Sequence, residues 1–186
     1  MAIGILVIGD EILSGKRQDK HFAKVIEILG KRGLELGWAE YLGDDPARIT
    51  ATLRRTFATD DLVFSFGGIG ATPDDHTRHC AAKALGLPLE RHPEAVRELE
   101  ARFGKEAYPR RVLLAEFPKG ADLVPNPVNR VAGFSVAKHY FLPGFPEMAW
   151  AMMEWALDTK HRALFRDRLP LEEAIIVDGA GETDLL

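Results

Sequence analysis

The chain has 186 residues, of which 46% are hydrophobic and 28% charged, and a formal net charge of −4. This is ordinary globular composition, with room for one well-packed domain and a short appendage. The weak acidity offers no general attraction to nucleic acid or anionic membrane. The single cysteine, Cys80, excludes an intrachain disulfide and fits a reducing, cytoplasmic setting.

Ile3 to Ile8 is a continuous apolar run that ends at Gly9, as expected of a strand buried on both faces of a parallel sheet. The run is short, has no basic leader and meets Gly9-Asp10-Glu11 at once, so it reads as a first strand and not as a signal peptide. No stretch approaches the roughly 18 apolar residues of a membrane span. Phe22, Val25, Ile26 and Leu29 have helical spacing, closed by Gly30 or Gly33. Leu34 to Leu42 is predicted as the second strand. Asp45-Pro46 reads as an N-cap with proline at the first helical position, and Ile49, Leu53 and Phe57 continue that helix. Leu62 to Phe66 is a third strand running into Gly67-Gly68-Ile69-Gly70. This alternation predicts an α/β fold with a mainly parallel sheet and right-handed crossovers.

Helices are predicted from about His76 to Leu85 and from about Pro93 to Phe103, the second with a solvated charged face between Glu94 and Arg102. Ala107 to Val131 carries Pro109, Pro118, Pro125 and Pro127 and is read as a small loop-and-hairpin excursion. Phe134 to Leu142 returns as one strand ending at Pro143-Gly144, and a last helix starts near Pro146, with Trp150 and Trp155 in core or interface positions. The domain is therefore placed at 1–160, with 161–186 as a C-terminal extension that is strand-like at Ala174 to Val177.

In a parallel α/β sheet, ligands bind beyond the carboxyl ends of the strands. Three glycine-containing loops fall there: Gly9 to Gly15, Gly67 to Asp75, and Pro143 to Met148. Glycine lets backbone approach a phosphate and aim N–H groups at it, and a following helix N-terminus adds positive partial charge. For Pro143-Gly144 a plain strand-to-helix turn is the simpler reading, and Asp10, Glu11 and Asp44 fit solvated turn acids as well as site acids. The adjacent carboxylates Asp74 and Asp75 would repel a phosphate unless a divalent cation, naturally Mg²⁺, lay between them. Either could instead N-cap the helix near His76, and both roles can coexist. No His/Cys cluster has zinc spacing, and Cys80 reads as a small buried hydrophobe in preference to a nucleophile.

Taken together, Gly9-Asp10-Glu11-Ile12-Leu13-Ser14-Gly15, Gly43-Asp44-Asp45, Gly67 to Thr77, Pro125-Asn126-Pro127, Gly133-Phe134 and Leu142 to Met148 resemble, in order and spacing, the molybdopterin-binding domain of MogA/MoaB-like proteins. The likeness is greatest to the N-terminal domain of CinA-like proteins and covers about residues 3 to 157. Gly179 to Leu185 is similar to the opening of the segment that follows this domain in CinA-like proteins. The resemblance implies a three-layer αβα sandwich, homo-oligomeric assembly, and a site for molybdopterin or an adenine nucleotide with Mg²⁺. It matches Asp75 to an acid that assists phosphoryl chemistry and Asp44 to a second acid. Gly67, Gly68 and Gly70 fall on the phosphate-cradling turn, with Thr72 beside it. Ser14 and Gly15, in the loop with Gly9, Asp10 and Glu11, match a first anion contact, and Pro143 and Gly144 fall on the third loop. Asp74 and Asp75 are the metal candidates.

The sequence departs from that family at Phe66, where a small residue, often threonine, is usual, and at Ala71, where proline is usual. Asn129-Arg130-Val131-Ala132 replaces the usual Gly-Thr-Ala-Pro before Gly133-Phe134, and the Pro-Gly loop is one residue shorter. Three functions follow as expectations. The first is a domain gripping a pterin phosphate or nucleotide. The second is a Mg²⁺-dependent pyrophosphatase of an ADP-ribose-like substrate. The third is an inactive relative serving assembly or partner binding, with a blocked or apolar pocket.

Overall fold

The computed structural model describes residues 1–166. The strand-like stretch at Ala174 to Val177 and the Gly179 to Leu185 motif lie outside the described residues. The strands of the main sheet are β1 (Ile3–Ile8), β2 (Trp38–Leu42), β3 (Leu62–Phe66), β6 (Asp122–Val124), β7 (Gly133–Val136) and β8 (His139–Leu142). They form a six-stranded sheet in the order β2-β1-β3-β8-β7-β6. β2, β1, β3 and β8 run parallel, and β7 and β6 complete the sheet antiparallel to their neighbours.

Alternation along β1 sorts its side chains between two cores. Ile3, Ile5 and Val7 join a cluster formed with Val25, Ile28 and Leu29 of α2 (His21–Gly30) and Met152, Met153 and Leu157 of α6 (Pro146–Lys160). Leu6 and Ile8 face the opposite cluster, with Ile49 and Leu53 of α3 (Pro46–Phe57), Cys80 and Ala81 of α4 (Thr77–Leu85), and Ala95 and Leu99 of α5 (Pro93–Phe103). The molecule is thus the expected three-layer αβα sandwich. Asp45 caps α3 as expected, its carboxylate accepting from the N–H groups of Ala47 and Arg48. A further single turn, α1 (Asp10–Leu13), follows β1 directly.

Three elements differ from the sequence expectation. The second strand spans only Trp38–Leu42, because Gly33 (φ 66°) turns the chain and Leu34 packs into the core before Gly37 reaches the sheet edge beside Ala2. The Phe134 to Leu142 run is two strands, not one. Ala137 (φ 47°) and Lys138 (φ 61°) make a two-residue turn with positive φ at both positions, the geometry that matches strand twist in a tight hairpin. That turn carries neither glycine nor asparagine, so its composition hides it. The 107–131 excursion holds one 3₁₀ turn, Arg111–Ala115, a second (Gly104–Ala107) ending where it begins, and two short strands that do not pair with each other. β5 (Glu116–Pro118) pairs with β4 (Leu89–Arg91) in a separate two-stranded sheet, and β6 joins the main sheet. Beyond α6, Leu164 and Phe165 pack back on the α2–α6 core, and the Arg166 N–H donates to the Arg32 carbonyl.

His139 at the start of β8 is fully buried. Its Nδ1 donates to the Ala137 carbonyl at 2.9 Å, and its Nε2 accepts from the Thr56 hydroxyl at 2.9 Å. Burial, which outweighs the opposing Ala137 hydrogen bond and the Asp61 charge, pushes its pKa down from 6.5 to about 4. The unfolded chain therefore binds an extra proton between those two values, and stability is lost as pH falls through that window. Urea unfolding of the wild type is expected to lose up to about 1.4 kcal/mol per pH unit from this group between pH 6.5 and 4. The His139→Phe variant should show a correspondingly flatter pH profile, and an unchanged slope would remove His139 as the source.

Candidate functional site

The carboxyl ends of all four parallel strands converge. β1 ends in Gly9, β2 in Gly43-Asp44, β3 in Gly67-Gly68 and β8 in Pro143-Gly144. The loops are laced together by backbone. The Gly9 N–H donates to the Leu42 carbonyl at 2.9 Å, and the Gly67 N–H to the Leu142 carbonyl at 3.0 Å. Asp10 and Asp44 bond reciprocally: the Asp10 N–H donates to an Asp44 carboxylate oxygen at 2.9 Å, and the Asp44 N–H to an Asp10 carboxylate oxygen at 3.1 Å. Gly67 has φ 102°, and a β-carbon there would lie 2.2 Å from the Ile8 carbonyl oxygen. Only glycine lets β1 and β3 end this close together.

A pocket of about 450 Å³ opens where these loops meet. Its wall includes Gly9, Glu11, Asp44, Gly67, Gly68, Gly70, Thr72, Asp74, Asp75, Pro143 and Gly144. Of the other expected residues, Asp10 and Ser14 border an adjoining depression together with Glu11, Asp44 and Asp74, and Gly15 lines neither. α1 is a single turn that ends at Leu13, so Ser14 and Gly15 turn outward past the rim.

The first turn of α4 fixes the direction of the central loop. The Gly67 carbonyl accepts from the Thr77 hydroxyl at 3.1 Å and the Gly68 carbonyl from the Thr77 N–H at 2.9 Å, while the Gly70 carbonyl accepts from the Arg78 guanidinium. A trans peptide sets its carbonyl opposite the next residue's N–H. The N–H groups of Gly68, Ile69 and Ala71 therefore face away from α4, and none donates to an acceptor among the described residues. The pocket is lined by Gly68, Ile69 and Ala71 and by neither Thr77 nor Arg78. Successive outward amides with positive-φ glycines form an anion-binding concavity.

The acids divide in role. Asp75 closes the loop: one carboxylate oxygen accepts the Thr72 N–H at 2.8 Å and the Thr72 hydroxyl, and the Asp75 N–H donates to the Thr72 carbonyl at 3.0 Å. Neither Asp74 nor Asp75 caps α4, whose N-cap is His76 with no side-chain bond, so of the two readings left open by spacing, capping is removed. The neighbouring Thr72 side chain, the Asp74 N–H and the His76 charge hold the exposed Asp74 carboxyl below the usual range. Asp44 moves the other way. Burial raises it, the charges of Asp10, Glu11 and Asp74 add to the rise, and the Asp10 N–H opposes them. Among the described residues no group of three or more His, Cys, Asp or Glu side chains is placed to hold a metal. A protein-only cage, at Asp74 and Asp75 or elsewhere, is absent among them.

Several wall residues were not among the expected site residues. Arg17 is the one basic side chain lining the pocket among the described residues, 3.9 Å from Glu11. Asn126 and Asn129 shape the opposite wall. Asn126 accepts from the N–H groups of Val128 and Asn129 and donates to the Val131 carbonyl, and Asn129 accepts from the Val131 N–H. The altered Asn129–Ala132 segment is thus part of the pocket, with Val131 and Ala132 lining it as well. Phe66 is not. It is 1% exposed, faces the α2–α6 core and stacks on His21, with ring centroids 4.4 Å apart. His21 is itself buried, which lowers its pKa despite the Gly144 carbonyl and the Asp19 charge, and its Nε2 lies 3.3 Å from the Gly144 carbonyl that it can hold in place. Cys80 is buried, with its thiol pushed up by burial, and is a packing residue as read. No helix among the described residues is long and apolar enough to cross a membrane.

A mainly parallel sheet whose carboxyl-edge loops enclose a pocket defines an α/β domain of the class in which ligands bind at the strand ends. Residues 4–162 match the family model described as a probable molybdopterin binding domain. The chain belongs to that family. It is 36% identical over 165 residues to the CinA-like protein of Anaeromyxobacter sp. (strain K), covering 84% of this chain and 40% of that protein. It is 32% identical over 185 residues to the CinA-like protein of Koribacter versatilis, covering 91% and 43%. The chain thus spans about two fifths of the length of these curated relatives. Among solved structures it resembles a CinA protein of Thermoplasma acidophilum, with TM-score 0.75 and 26% identity over 85% of this chain and 98% of that one. A MoaB molybdopterin biosynthesis enzyme from Thermus thermophilus, at TM-score 0.54 and 23% identity over 88% and 93%, shares the fold.

Proposed function

We propose that this domain binds a small phosphate-bearing ligand, of molybdopterin or adenine-nucleotide type, with its phosphate on the Gly67–Thr72 loop. The observation that carries this reading is the set of unbonded, outward N–H groups of Gly68, Ile69 and Ala71 at the carboxyl edge of the sheet. Arg17 adds the cation on the rim, and the Asn126–Ala132 wall, with Met148 and Phe145, offers half-apolar surface for a ring system. That surface does not favour the inactive-module reading, which expected a blocked or wholly apolar pocket. Homo-oligomeric assembly belongs to this proposal too, and light scattering of the purified chain tests it.

A thermal-shift panel with AMP, ADP-ribose, ATP and a molybdopterin precursor, each with and without Mg²⁺, is the direct test. A ligand that binds only the native state raises its stability by mass action, by about 2.7 kcal/mol at a hundredfold excess over Kd. At least one of the four is expected to raise Tm. A cooperatively folded sample that responds to none would refute the reading.

The crowd of Asp44, Asp74 and Asp75 favours one second reading, a Mg²⁺-dependent pyrophosphatase of a nucleotide diphosphate such as ADP-ribose. Asp74 and Asp75 would hold the ion, which when bound supplies charge neutralisation at the phosphates and an acidified water. The loop amides would orient the diphosphate. Asp44, with its carboxyl raised by burial and like charges, would be placed to exchange a proton at the pocket wall.

A further inference from the structure

Arg78 is buried, 3% exposed, on the first turn of α4. Its guanidinium donates to three backbone carbonyls, those of Gly70, Leu113 and Glu116, and its Nε has no partner. No carboxylate lies within ion-pairing distance of it among the described residues, and the Glu116 side chain is paired with Arg91 at 3.3 Å. A cation at this place is costly twice over. It is out of water with no carboxylate in contact, the Glu116 and Asp75 charges offsetting its burial only from beyond ion-pairing distance, and it sits at a helix N-terminus, where the macrodipole favours negative charge. An apolar side chain of similar length would satisfy packing at less cost, so the charge needs another account.

The bond to Gly70 supplies one. A carbonyl held by a guanidinium is held by a charge-assisted hydrogen bond. Fixing the Gly70 carbonyl toward α4 also fixes the Ala71 N–H toward the pocket. The same guanidinium ties this loop to the 111–116 segment through Leu113 and Glu116, next to the pocket residue Leu114. Thr77 performs the equivalent task for the Gly67 and Gly68 peptides, but as a neutral group.

We propose that Arg78 is a positioning residue of the anion cradle: it orients the Gly70–Ala71 peptide so that the Ala71 N–H faces the anion that the cradle receives. The proposal rests on the reading of the pocket as an anion site. It implies that the affinity for a phosphate group depends on a side chain that never touches it.

The test uses the full chain, its Arg78→Met and Arg78→Lys variants, and inorganic pyrophosphate as the probe. In ligand-free protein, the amide NMR signals of Gly70 and Ala71 should shift or broaden in Arg78→Met and return toward the wild-type positions in Arg78→Lys. Pyrophosphate affinity by calorimetry should fall about tenfold or more in Arg78→Met and by less in Arg78→Lys, which keeps the charge. Both variants should unfold cooperatively. Should Arg78→Met fail to fold, the neutral Arg78→Gln takes its place in both readouts, with Arg78→Lys again as the charge-keeping control. Unchanged loop signals, or equal pyrophosphate affinity in a wild type and variant that both bind it, would overturn the proposal and leave the pocket reading standing. A wild type that takes no pyrophosphate would overturn the anion-site reading and this proposal with it.

Discussion

Gly67→Ala is expected to lower the unfolding free energy by about 4 kcal/mol and to eliminate ligand binding. Two penalties add. Alanine at φ 102° is strained by about 1–3 kcal/mol. Its β-carbon would also lie 2.2 Å from the Ile8 carbonyl oxygen, which is backbone at the end of a central strand and cannot swing aside as a side-chain tip can. Forcing the strands apart costs about a further 1–3 kcal/mol, as overpacking does elsewhere. It would also disturb the bond from the Gly67 N–H to the Leu142 carbonyl, and the close approach of Gly144, where an added β-carbon would lie 3.4 Å from the Gly67 Cα. For a domain of this size the loss corresponds to a fall in Tm of roughly 8–16 °C. Gly15→Ala is the control. Its φ is also positive, at 72°, but nothing lies within 4 Å of the added carbon, so it should cost only about 1 kcal/mol. Calorimetric scans of both variants check the contrast. Equal losses would mean that backbone strain, and not the packing of β1 against β3, accounts for the glycine.

What the sequence made legible follows from how local each signal is. β1, β3 and α3 were readable because an apolar run closed by glycine, and an Asp-Pro cap before apolar residues at helical spacing, state their structure within a dozen residues. The glycine loops were readable as breaks at strand ends. The Ala137–Lys138 turn was not, because a positive-φ turn built without glycine or asparagine leaves no composition signal. Phe66 departs from the family pattern just before the loop, and its parity could have placed it. It shares a strand face with Leu62 and Phe64, and all three enter the α2–α6 core. Arg78 was missed because an arginine on a short helix reads as a surface residue, and only the fold reveals that three carbonyls from 8 to 38 residues away surround it. The same non-local origin hides Arg17 and Asn129 as pocket residues. Asp74 and Asp75 were visible as a pair, but only coordinates show one of them spent on Thr72.

Asp75→Asn decides between the two functional readings, because they require opposite signs. The substitution preserves the turn: an asparagine carbonyl can still accept the Thr72 N–H and hydroxyl, which are the bonds Asp75 makes. What it removes is one negative charge at the rim of a pocket that already carries Glu11, Asp44 and Asp74. If the pocket takes its phosphate on amides and Arg17 alone, that charge only repels the ligand. A unit charge about 6 Å away at an effective dielectric near 20 amounts to about 3 kcal/mol before screening by salt. The Mg²⁺-free affinity of Asp75→Asn for AMP or pyrophosphate is then expected to rise severalfold. If Asp75 instead shares a divalent ion with the phosphate, the variant should lose the Mg²⁺-dependent part of binding, and its hydrolysis of ADP-ribose should fall at least about a hundredfold below that of the wild type. Titration calorimetry with and without Mg²⁺, alongside an assay of AMP released from ADP-ribose, reads both. Tighter binding with no hydrolysis to lose selects the binding domain, and a collapse of Mg²⁺-dependent turnover in a variant of unchanged Tm selects the enzyme. Retained Mg²⁺-dependent turnover would remove Asp75 from the chemistry and leave it as the residue that closes the glycine loop.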